Sequence, residues 1–284
     1  MIRFGPSGNS EAFYAEGYKE TAEAPAWINA QGLNAFEYAF TLGQFLSDKT
    51  AQKIVEEGKK YDIEFSVHAP FYINFANSSD SSRENNYKFM MNSVEGLKKL
   101  RGRHCVFHIG AQMKMSREEA FNNVKTNFLD FVREFEKRND GVFLCPETMG
   151  KYTQIGSVDE IFEVCSWSDC LIPTLDFGHI NCILQGALRT KDDFKKILQL
   201  GIDKIGFDKM KDVHVHFSKI MYGAKGEIKH LTFEDTSFGP EPEPFLEAVC
   251  DLGLEPVVIT ESSGTQAMDA AIMSRMYKII KKEK

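Results

Sequence analysis

Metal-capable side chains recur at the ends of predicted strands along this sequence. Short apolar segments spread through the chain terminate in a histidine, an aspartate or a glutamate, namely His68, His108, Glu147, Asp176, His216 and Glu261. Imidazole and carboxylate ligands without thiolates suit Zn or Mn, or Fe, in a site with open positions for water. One polar residue at a strand end is ordinary, because it meets solvent or caps the next helix. Repetition over consecutive strands predicts a metal site.

Two further histidines enlarge this ligand set. In TLDFGHINC, residues 174–182, His179 follows Asp176 by three positions, and His230 lies after a later strand. Taken alone, Asp176 is a helix cap and His179 a hydrogen-bonded loop histidine. Taken together, the candidates exceed the roughly four to six ligands of one ion, so the pattern predicts two or three ions with a bridging carboxylate.

The segment DVHVHFS, residues 212–218, offers more than one candidate ligand. Strand alternation places Asp212, His214 and His216 on one face. His216 lies nearest the strand end and is predicted to be the ligand, whereas His214 is predicted to lie in the interior or to support a ligand. His104 begins its strand, far from the chemistry, and is interpreted as a packing or surface residue.

These residues need a fold that brings strand ends together. Apolar segments alternate with helical, charged segments, and helix-start signals occur at Ser116 and Ser157. The predicted strands are IRFG (2–5), AFEYAF (35–40), IEFSVHA (63–69), HCVFHIG (104–110), VFLCPET (142–148), LIPTLDFG (171–178), DVHVHFS (212–218) and EPVVITES (255–262). This pattern predicts an α/β (β/α)8 TIM barrel, one domain over residues 1–284, with chemistry at the carboxyl ends of the strands. A doubly wound sheet is the alternative, but no GxGxxG follows the first strand.

Composition narrows the class of partner and the compartment. The net charge of −7 provides no general attraction to nucleic acid, so DNA binding would depend on a local basic patch or on bound cations. The six cysteines form no CxxC pair and are expected to be reduced structural thiols. The chain has no basic leader and no apolar run of about 18 residues, so we expect a cytoplasmic protein without a membrane partner.

Several segments resemble the signature segments of endonuclease IV, the metal-dependent apurinic/apyrimidinic endonucleases, especially their archaeal-type relatives. They are SVHAPFYINFAN (66–77), VFHIG (106–110), PET (146–148), LDFGHI (175–180), HFSK (216–219) and ITESSGTQAMDA (259–270). The likeness runs from about residue 33 to 275. It implies a TIM barrel with three zinc ions, Mn being a possible replacement, that hydrolyses the phosphodiester 5′ to an abasic site in damaged double-stranded DNA. We also expect a monomer.

The resemblance also implies a role for each candidate ligand. His68, His108 and Glu147 would hold the first ion, and Glu147 would bridge to the second. Asp176, His216 and Glu261 would complete the second site, while His179 and His230 would hold the third ion. Glu147 and Glu261 would position or activate the attacking water and are the predicted catalytic residues.

The sequence departs from the family at two places. The family has an aspartate two residues before its last histidine, where this chain has Ile228; either Glu227 replaces it or the third site is weak or empty. The family also inserts an arginine into DNA from the loop after the second strand, and residues 35–47 contain none.

Other residues are candidates for binding the substrate. The predicted substrate-binding residues are Phe71, Tyr72 and Asn74 after the third strand and Lys219 and Lys229 after the seventh. Phe40 and Phe45 are further candidates for stacking, and Lys225 for phosphate contact. Core or rim packing of the aromatic side chains and solvated lysines remain the alternatives.

Two other functions are compatible with the pattern. A metal-dependent sugar isomerase or epimerase of the same barrel superfamily would need one ion, on Glu147, Asp176, His216 and Glu261. A protein that binds metal or abasic DNA without catalysis is the third hypothesis, and the presence of both glutamates argues against it. The number of bound metal ions distinguishes the three.

Overall fold

Parallel strands form a closed barrel in the computed structural model of this protein, which describes residues 1–40, 46–138 and 141–283. The strands in these ranges are β1 (Arg3–Pro6), β2 (Ala35–Ala39), β3 (Glu64–His68), β4 (His104–Phe107), β5 (Gly110–Ala111), β6 (Phe143–Pro146), β7 (Gln154–Ile155), β8 (Thr174–Asp176), β9 (His214–Phe217), β10 (Ile220–Gly223), β11 (Gly226–His230) and β12 (Val257–Thr260).

The barrel wall is built from two parallel sheets, ordered β1-β12-β9-β8 and β2-β3-β4-β6. Isolated parallel bridges join them at both seams. Ser7 pairs with Glu37 at the seam between β1 and β2, and Leu144–Leu171 and Glu147–Thr174 pair at the seam between β6 and β8. Each strand of the wall overlaps a predicted strand segment. The predicted (β/α)8 TIM barrel is therefore confirmed, and the doubly wound alternative is excluded.

Helices surround the barrel and follow its strands. They are α1 (Glu11–Ala15), α2 (Ala24–Ala30), α3 (Asp48–Lys60), α4 (Asp80–Leu100), α5 (Arg117–Glu136), α6 (Val158–Cys165), α7 (Phe177–Ile183), α8 (Lys191–Ile205), α9 (Phe207–Lys211), α10 (Pro242–Leu252) and α11 (Gln266–Glu283), with a 3-10 turn at Thr21–Glu23. Both predicted start signals are confirmed, since Ser116 Oγ accepts a hydrogen bond from Glu119 N and Ser157 forms a capping box with Glu160. No helix in the described ranges is both long and apolar enough to cross a membrane.

Aromatic side chains fill the layer between barrel and helices. Phe107 on β4 contacts Phe128 on α5 with ring centroids 5.3 Å apart, and Phe217 on β9 contacts Phe245 on α10 at 5.4 Å. All four rings are buried. Packing of large rings on both sides of the barrel stabilises the strands, because burial of each ring contributes about 2 kcal/mol or more.

The sequence did not predict the short antiparallel pairs β5–β7 and β10–β11. Both lie in connections that follow the carboxyl ends of barrel strands, namely those after β4, β6 and β9. Both pairs are separate two-stranded sheets, and β10–β11 carries His230.

Candidate metal centre

A cavity of about 390 Å³ opens at the carboxyl ends of the barrel strands. Predicted ligands that line it are His68, His108, Glu147, His179, His230 and Glu261. The buried side chains of Asp176 and His216 adjoin this cavity, within ligand distance of Glu147 and Glu261. The structure thus brings all the predicted metal ligands together. Six of them come from the ends of six barrel strands, whereas His179 lies in α7 and His230 in β11.

Glu147 is the centre of the cluster. It follows β6, is 1% exposed, and directs its two oxygens to opposite sides. Oε2 lies 3.1 Å from His68 Nε2 and 3.2 Å from His108 Nε2. Oε1 lies 3.1 Å from His216 Nδ1 and 3.4 Å from His179 Nδ1. A carboxylate with one oxygen in each group of ligands is suited to bridging two ions.

The first group contains His68, His108 and Glu147, with ligand atoms all within 4.8 Å of one another. His68 Nδ1 lies 2.7 Å from the carbonyl oxygen of Ala69. Because a carbonyl oxygen only accepts hydrogen bonds, Nδ1 carries a proton and Nε2 faces Glu147. This backbone contact orients the ring as in metal sites, where the second nitrogen of a ligating histidine is commonly hydrogen-bonded.

The second group contains Glu147, Asp176, His216 and Glu261. Asp176 Oδ1 accepts a hydrogen bond of 2.8 Å from His179 N and so caps α7, while Oδ2 is buried without a hydrogen-bond partner. Asp176 is therefore both the helix cap and a candidate ligand. Without a hydrogen bond, and beside two other carboxylates, this buried oxygen needs a nearby cation; protonated His179, with Nδ1 3.2 Å away, is one, and a metal ion would be another. The donor set of this group consequently fits a divalent ion.

The third group contains His179, Glu227 and His230. His179 Nδ1 lies 2.9 Å from the carbonyl oxygen of Thr148, and His230 Nδ1 lies 2.9 Å from Ser218 Oγ. The Nε2 atoms of both rings face Glu227, at 3.6 and 3.8 Å. Of the two alternatives raised by Ile228, the structure favours replacement by the neighbouring Glu227.

A β-bulge brings Glu227 to this position. Met221 pairs with Lys229 and Tyr222 with Glu227, so Ile228 has no partner in β10 and its side chain is 59% exposed. An extra residue shifts the alternation of a strand by one position. Glu227 and His230 therefore face the cavity together, and Ile228 points away from it.

Two glycines allow the β6 loop to approach β11 and the third group closely. A Cβ on Gly150 would lie 2.7 Å from His179 Cδ2 and 2.9 Å from Glu227 Cβ. Gly226 has a φ of +94° and pairs with Lys151, and a Cβ there would lie 2.2 Å from the Gly150 carbonyl oxygen. Only glycine fits this crossing without displacing a candidate ligand.

The electrostatics of the cluster indicate a site that attracts cations. Burial lowers the pKa of His68 and His179, but contacts with Glu147 and the charge of Asp176 outweigh it, raising the values to about 9 and about 10. Burial raises the pKa of Glu147, yet the charge of His216 and hydrogen bonds from the surrounding histidines hold it well below its usual range. Burial raises the pKa of Asp176. Protons on histidine thus balance the carboxylates wherever no other cation does.

Among the predicted substrate-binding residues after the third strand, Phe71 lines the cavity and is 61% exposed. Tyr72 lies on the rim, where its ring packs edge-on against Phe89 at 4.7 Å. The prediction for Asn74 needs correction. Its Oδ1 accepts hydrogen bonds of 3.0 Å from the backbone N–H groups of Ala76 and Ala111, so the side chain holds a loop in place.

The prediction for Lys219 also needs correction. Its ammonium group is buried and donates to the Asp235 carbonyl oxygen at 2.7 Å and to Glu241 Oε1 at 2.6 Å. Lys229 is exposed on β11 and is not part of the cavity lining, and Lys225 lies in the exposed turn before it. Phe40 is a core residue, and Phe45 lies outside the described residues.

Sequence reasoning missed several residues of the site. Lys151 and Gln154 line the cavity, and Lys151 Nζ lies 3.9 Å from Glu227. Glu37 is fully buried in β2, with Oε2 3.0 Å from His214 Nε2. The sequence did contain an indication that Glu37 has a special role, because it places a carboxylate in the middle of the otherwise apolar strand segment AFEYAF (35–40). His214 is interior, as predicted, and His104 is a buried packing residue rather than a surface one.

The fold and site define a TIM barrel of an enzyme superfamily, with a candidate metal site at the carboxyl ends of its strands. The chain belongs to the xylose isomerase-like TIM barrel family, whose model matches residues 25–274. It is 34% identical over 245 residues to an uncharacterized protein of Methanocaldococcus jannaschii, covering 86% of this chain and 87% of that protein.

Another relative is a probable endonuclease 4 of Staphylococcus epidermidis, 27% identical over 201 residues, which are 68% of this chain and 64% of that protein. Two solved structures share the fold. A D-tagatose 3-epimerase-like protein superposes with a TM-score of 0.71 at 19% identity, covering 99% of both chains. Endonuclease IV from Thermus thermophilus superposes with a TM-score of 0.70 at 16% identity, covering 99% of this chain and 100% of the other.

Proposed function

We propose that this protein is a metal-dependent apurinic/apyrimidinic endonuclease of the archaeal type, hydrolysing the DNA phosphodiester 5′ to an abasic site in base-excision repair. One observation carries the proposal: the third group, His179, Glu227 and His230, adjoins the Glu147-centred groups in the same cavity. A site for one ion does not need the third group, whereas a cluster of two or three ions uses every candidate ligand. The similarity in sequence to a probable endonuclease 4 supports the same reaction.

The cofactor we propose is zinc, two or three ions per chain, with manganese as a possible replacement. Divalent ions in such a cluster supply Lewis-acid stabilisation of phosphate oxygens and lower the pKa of water. They also cancel part of the ligand carboxylate charge at the place where a phosphate binds, which reconciles a net charge of −7 with a DNA substrate.

Protein side chains take the remaining roles. Glu261 has a side chain that is 19% exposed at the cavity, while its Oε2 lies 3.5 Å from His216 Nδ1. It is therefore placed to accept a proton from the attacking water, with Glu147 positioning that water. Lys151 on the cavity wall contacts a phosphate, and Phe71 packs against a sugar or base at the rim.

The proposal extends to partner and location. We infer that the partner is damaged double-stranded DNA and that the protein acts as a monomer in the cytoplasm. The exposed Phe71 and Tyr72 beside the cavity support a partner that offers flat rings for stacking.

The experiment is cleavage of a labelled duplex that contains one abasic analogue. Purified protein is assayed as isolated, with added Zn or Mn, after chelation, and as the Glu261→Gln variant. We expect metal-dependent incision 5′ to the lesion that the variant loses. Failure of protein with two or more bound ions to incise this duplex would overturn the proposal.

A metal-dependent sugar isomerase or epimerase is the second candidate. It is favoured by the second group, since Glu147, Asp176, His216 and Glu261 suffice to hold one ion, and the two glutamates among them would shuttle a proton. The variant His230→Ala separates the candidates, because His230 lies outside this group. A nuclease would lose an ion and its incision activity, whereas an isomerase acting on ketoses or aldoses would retain its turnover.

A further inference from the structure

A row of buried polar side chains lies in the barrel interior next to the metal ligands. It consists of Glu37 on β2, Ser66 on β3, His104 on β4 and His214 on β9, which leads to the ligand His216. Each of these residues is at most 2% exposed. Buried polar groups destabilise a fold unless they are hydrogen-bonded, so the arrangement of this row needs a physical reason.

Glu37 is the acceptor around which the row is organised. Its Oε2 accepts hydrogen bonds from Ser66 Oγ at 2.9 Å and from His214 Nε2 at 3.0 Å. Its Oε1 lies 3.0 Å from His216 Nε2, a close contact without hydrogen-bond alignment, and neither of these two buried atoms has another hydrogen-bond partner. An ionised carboxylate only accepts, so His214 donates from Nε2. A proton on Nε2 of His216 is the arrangement that avoids two lone pairs facing each other across the 3.0 Å contact.

In a neutral imidazole, a proton on Nε2 leaves Nδ1 of His216 with a lone pair. Nδ1 lies 3.1 Å from Glu147 Oε1 and 3.5 Å from Glu261 Oε2. In a neutral ring with Nε2 protonated, Nδ1 presents a lone pair to two carboxylates. That arrangement is repulsive unless a cation lies between them, and it is the arrangement of a metal ligand.

We propose that Glu37 is a positioning residue for the metal centre: it selects the tautomer of His216 that presents an unprotonated Nδ1 to the second group, and it fixes the orientation of the ring. The charge of Glu37 also makes Nδ1 a better electron donor, as carboxylates do for ligating histidines elsewhere. This inference rests on the metal centre of the proposed function but is independent of the substrate.

The rest of the row supports the assigned tautomer. His214 Nδ1 lies 3.3 Å from His104 Nδ1. With the His214 proton on Nε2, its Nδ1 accepts a hydrogen bond from His104 Nδ1–H. One consistent set of protons therefore satisfies the Nδ1 contact of His104, both nitrogens of His214 and Oε2 of Glu37.

Glu37, His214 and His216 also lie close enough to one another to hold an ion themselves. Two observations favour the positioning role. Oε2 of Glu37 already accepts two hydrogen bonds, and the three side chains lie among buried residues, namely all of β9 and the first three residues of β2. An experiment on bound metal distinguishes these roles.

The first measurement needs no variant. Long-range ¹⁵N–¹H correlation spectra of the zinc-loaded full chain report which nitrogen of each imidazole carries a proton. We expect His216 to be protonated on Nε2 and unprotonated on Nδ1. Protonation on Nδ1 would overturn the proposal, whatever reaction the protein catalyses.

The second measurement compares zinc binding of Glu37→Gln with that of the wild type, by competition with a chromophoric chelator. A glutamine cannot accept from both imidazoles, so we expect one zinc equivalent to bind roughly 10- to 100-fold more weakly. The matched control is Ser66→Ala, which removes a hydrogen bond to the same carboxylate without contacting His216 and should have a smaller effect. Unchanged affinity in Glu37→Gln, or loss of an additional equivalent with the others unaffected, would contradict a positioning role.

Discussion

Oε1 of Glu227 lies 3.8 Å from Nε2 of His230, although regular strand alternation would place residues three apart on opposite faces. The extra residue Ile228 reverses that alternation within β11. Glu227, one residue before the position at which the resemblance predicts an acidic ligand, thus reaches the third group through a change in backbone register. The bulge therefore places Glu227, a candidate ligand, beside His179 and His230 in spite of its position in the sequence.

Replacement of Glu227 by glutamine should remove the third ion while leaving the fold intact. The amide keeps the shape of the side chain but loses the charge that faces both His179 and His230. We expect about one zinc equivalent less per chain by elemental analysis and incision slower by roughly 100-fold or more. Lys229→Gln, on the same strand but exposed, is the control, and equal metal content in both variants would refute a ligand role for Glu227.

Gly150→Ala should damage the third group through sterics alone. The new methyl group would lie 2.7 Å from the ring of His179, which cannot move without losing its contact with Thr148. We expect a loss of about 1–3 kcal/mol in the free energy of unfolding, measured in denaturant, together with weaker zinc binding. Gly223→Ala is the matched control, because its methyl group would meet only Ile228, at 3.4 Å. Similar losses in both variants would contradict a close approach of Gly150 to His179.

Lys219→Met tests whether Lys219 stabilises the fold or contacts a DNA phosphate. Because the Lys219 ammonium group binds Asp235 and Glu241 inside the protein, its removal should cost about 1–3 kcal/mol of stability. The salt dependence of DNA affinity should not change, since no phosphate contact is lost. Lys229→Met, at an exposed position, should alter stability by less than about 0.5 kcal/mol. A shallower salt dependence for Lys219→Met would restore the original prediction.

Binding of divalent ions should release protons near neutral pH. The pKa values of His68 and His179, about 9 and about 10, lie above pH 7, so both rings are protonated in the metal-free protein. An ion must displace a proton to use either ring, and zinc affinity should therefore rise as pH increases towards 9. Calorimetric titration at pH 7 in buffers of different ionisation enthalpy measures the number released. Binding without net proton release would show that these histidines are not ligands.

Sequence alone determined the barrel and the positions of most of the candidate ligands. Side-chain direction repeats every two residues in a strand and every 3.6 residues in a helix, so the strand segments could be recognised from local sequence patterns. The carboxyl ends of parallel barrel strands all lie at the same end of the barrel. His68, His108, Glu147, Asp176, His216 and Glu261 could be recognised because each stands at a strand end. Local order along the chain was sufficient for all of them.

Only the tertiary structure decided which partner each remaining side chain has. Glu37 lies far from His216 in sequence, and nothing local shows that β2 and β9 direct both into one interior. Glu227 reaches the cavity only through a register shift, which depends on the pairing of β11 with β10. Lys219 and Asn74 form hydrogen bonds with other parts of the fold, which the sequence does not show. Periodicity determines which way a side chain points, but its contacts depend on distances between segments that meet only when the barrel closes.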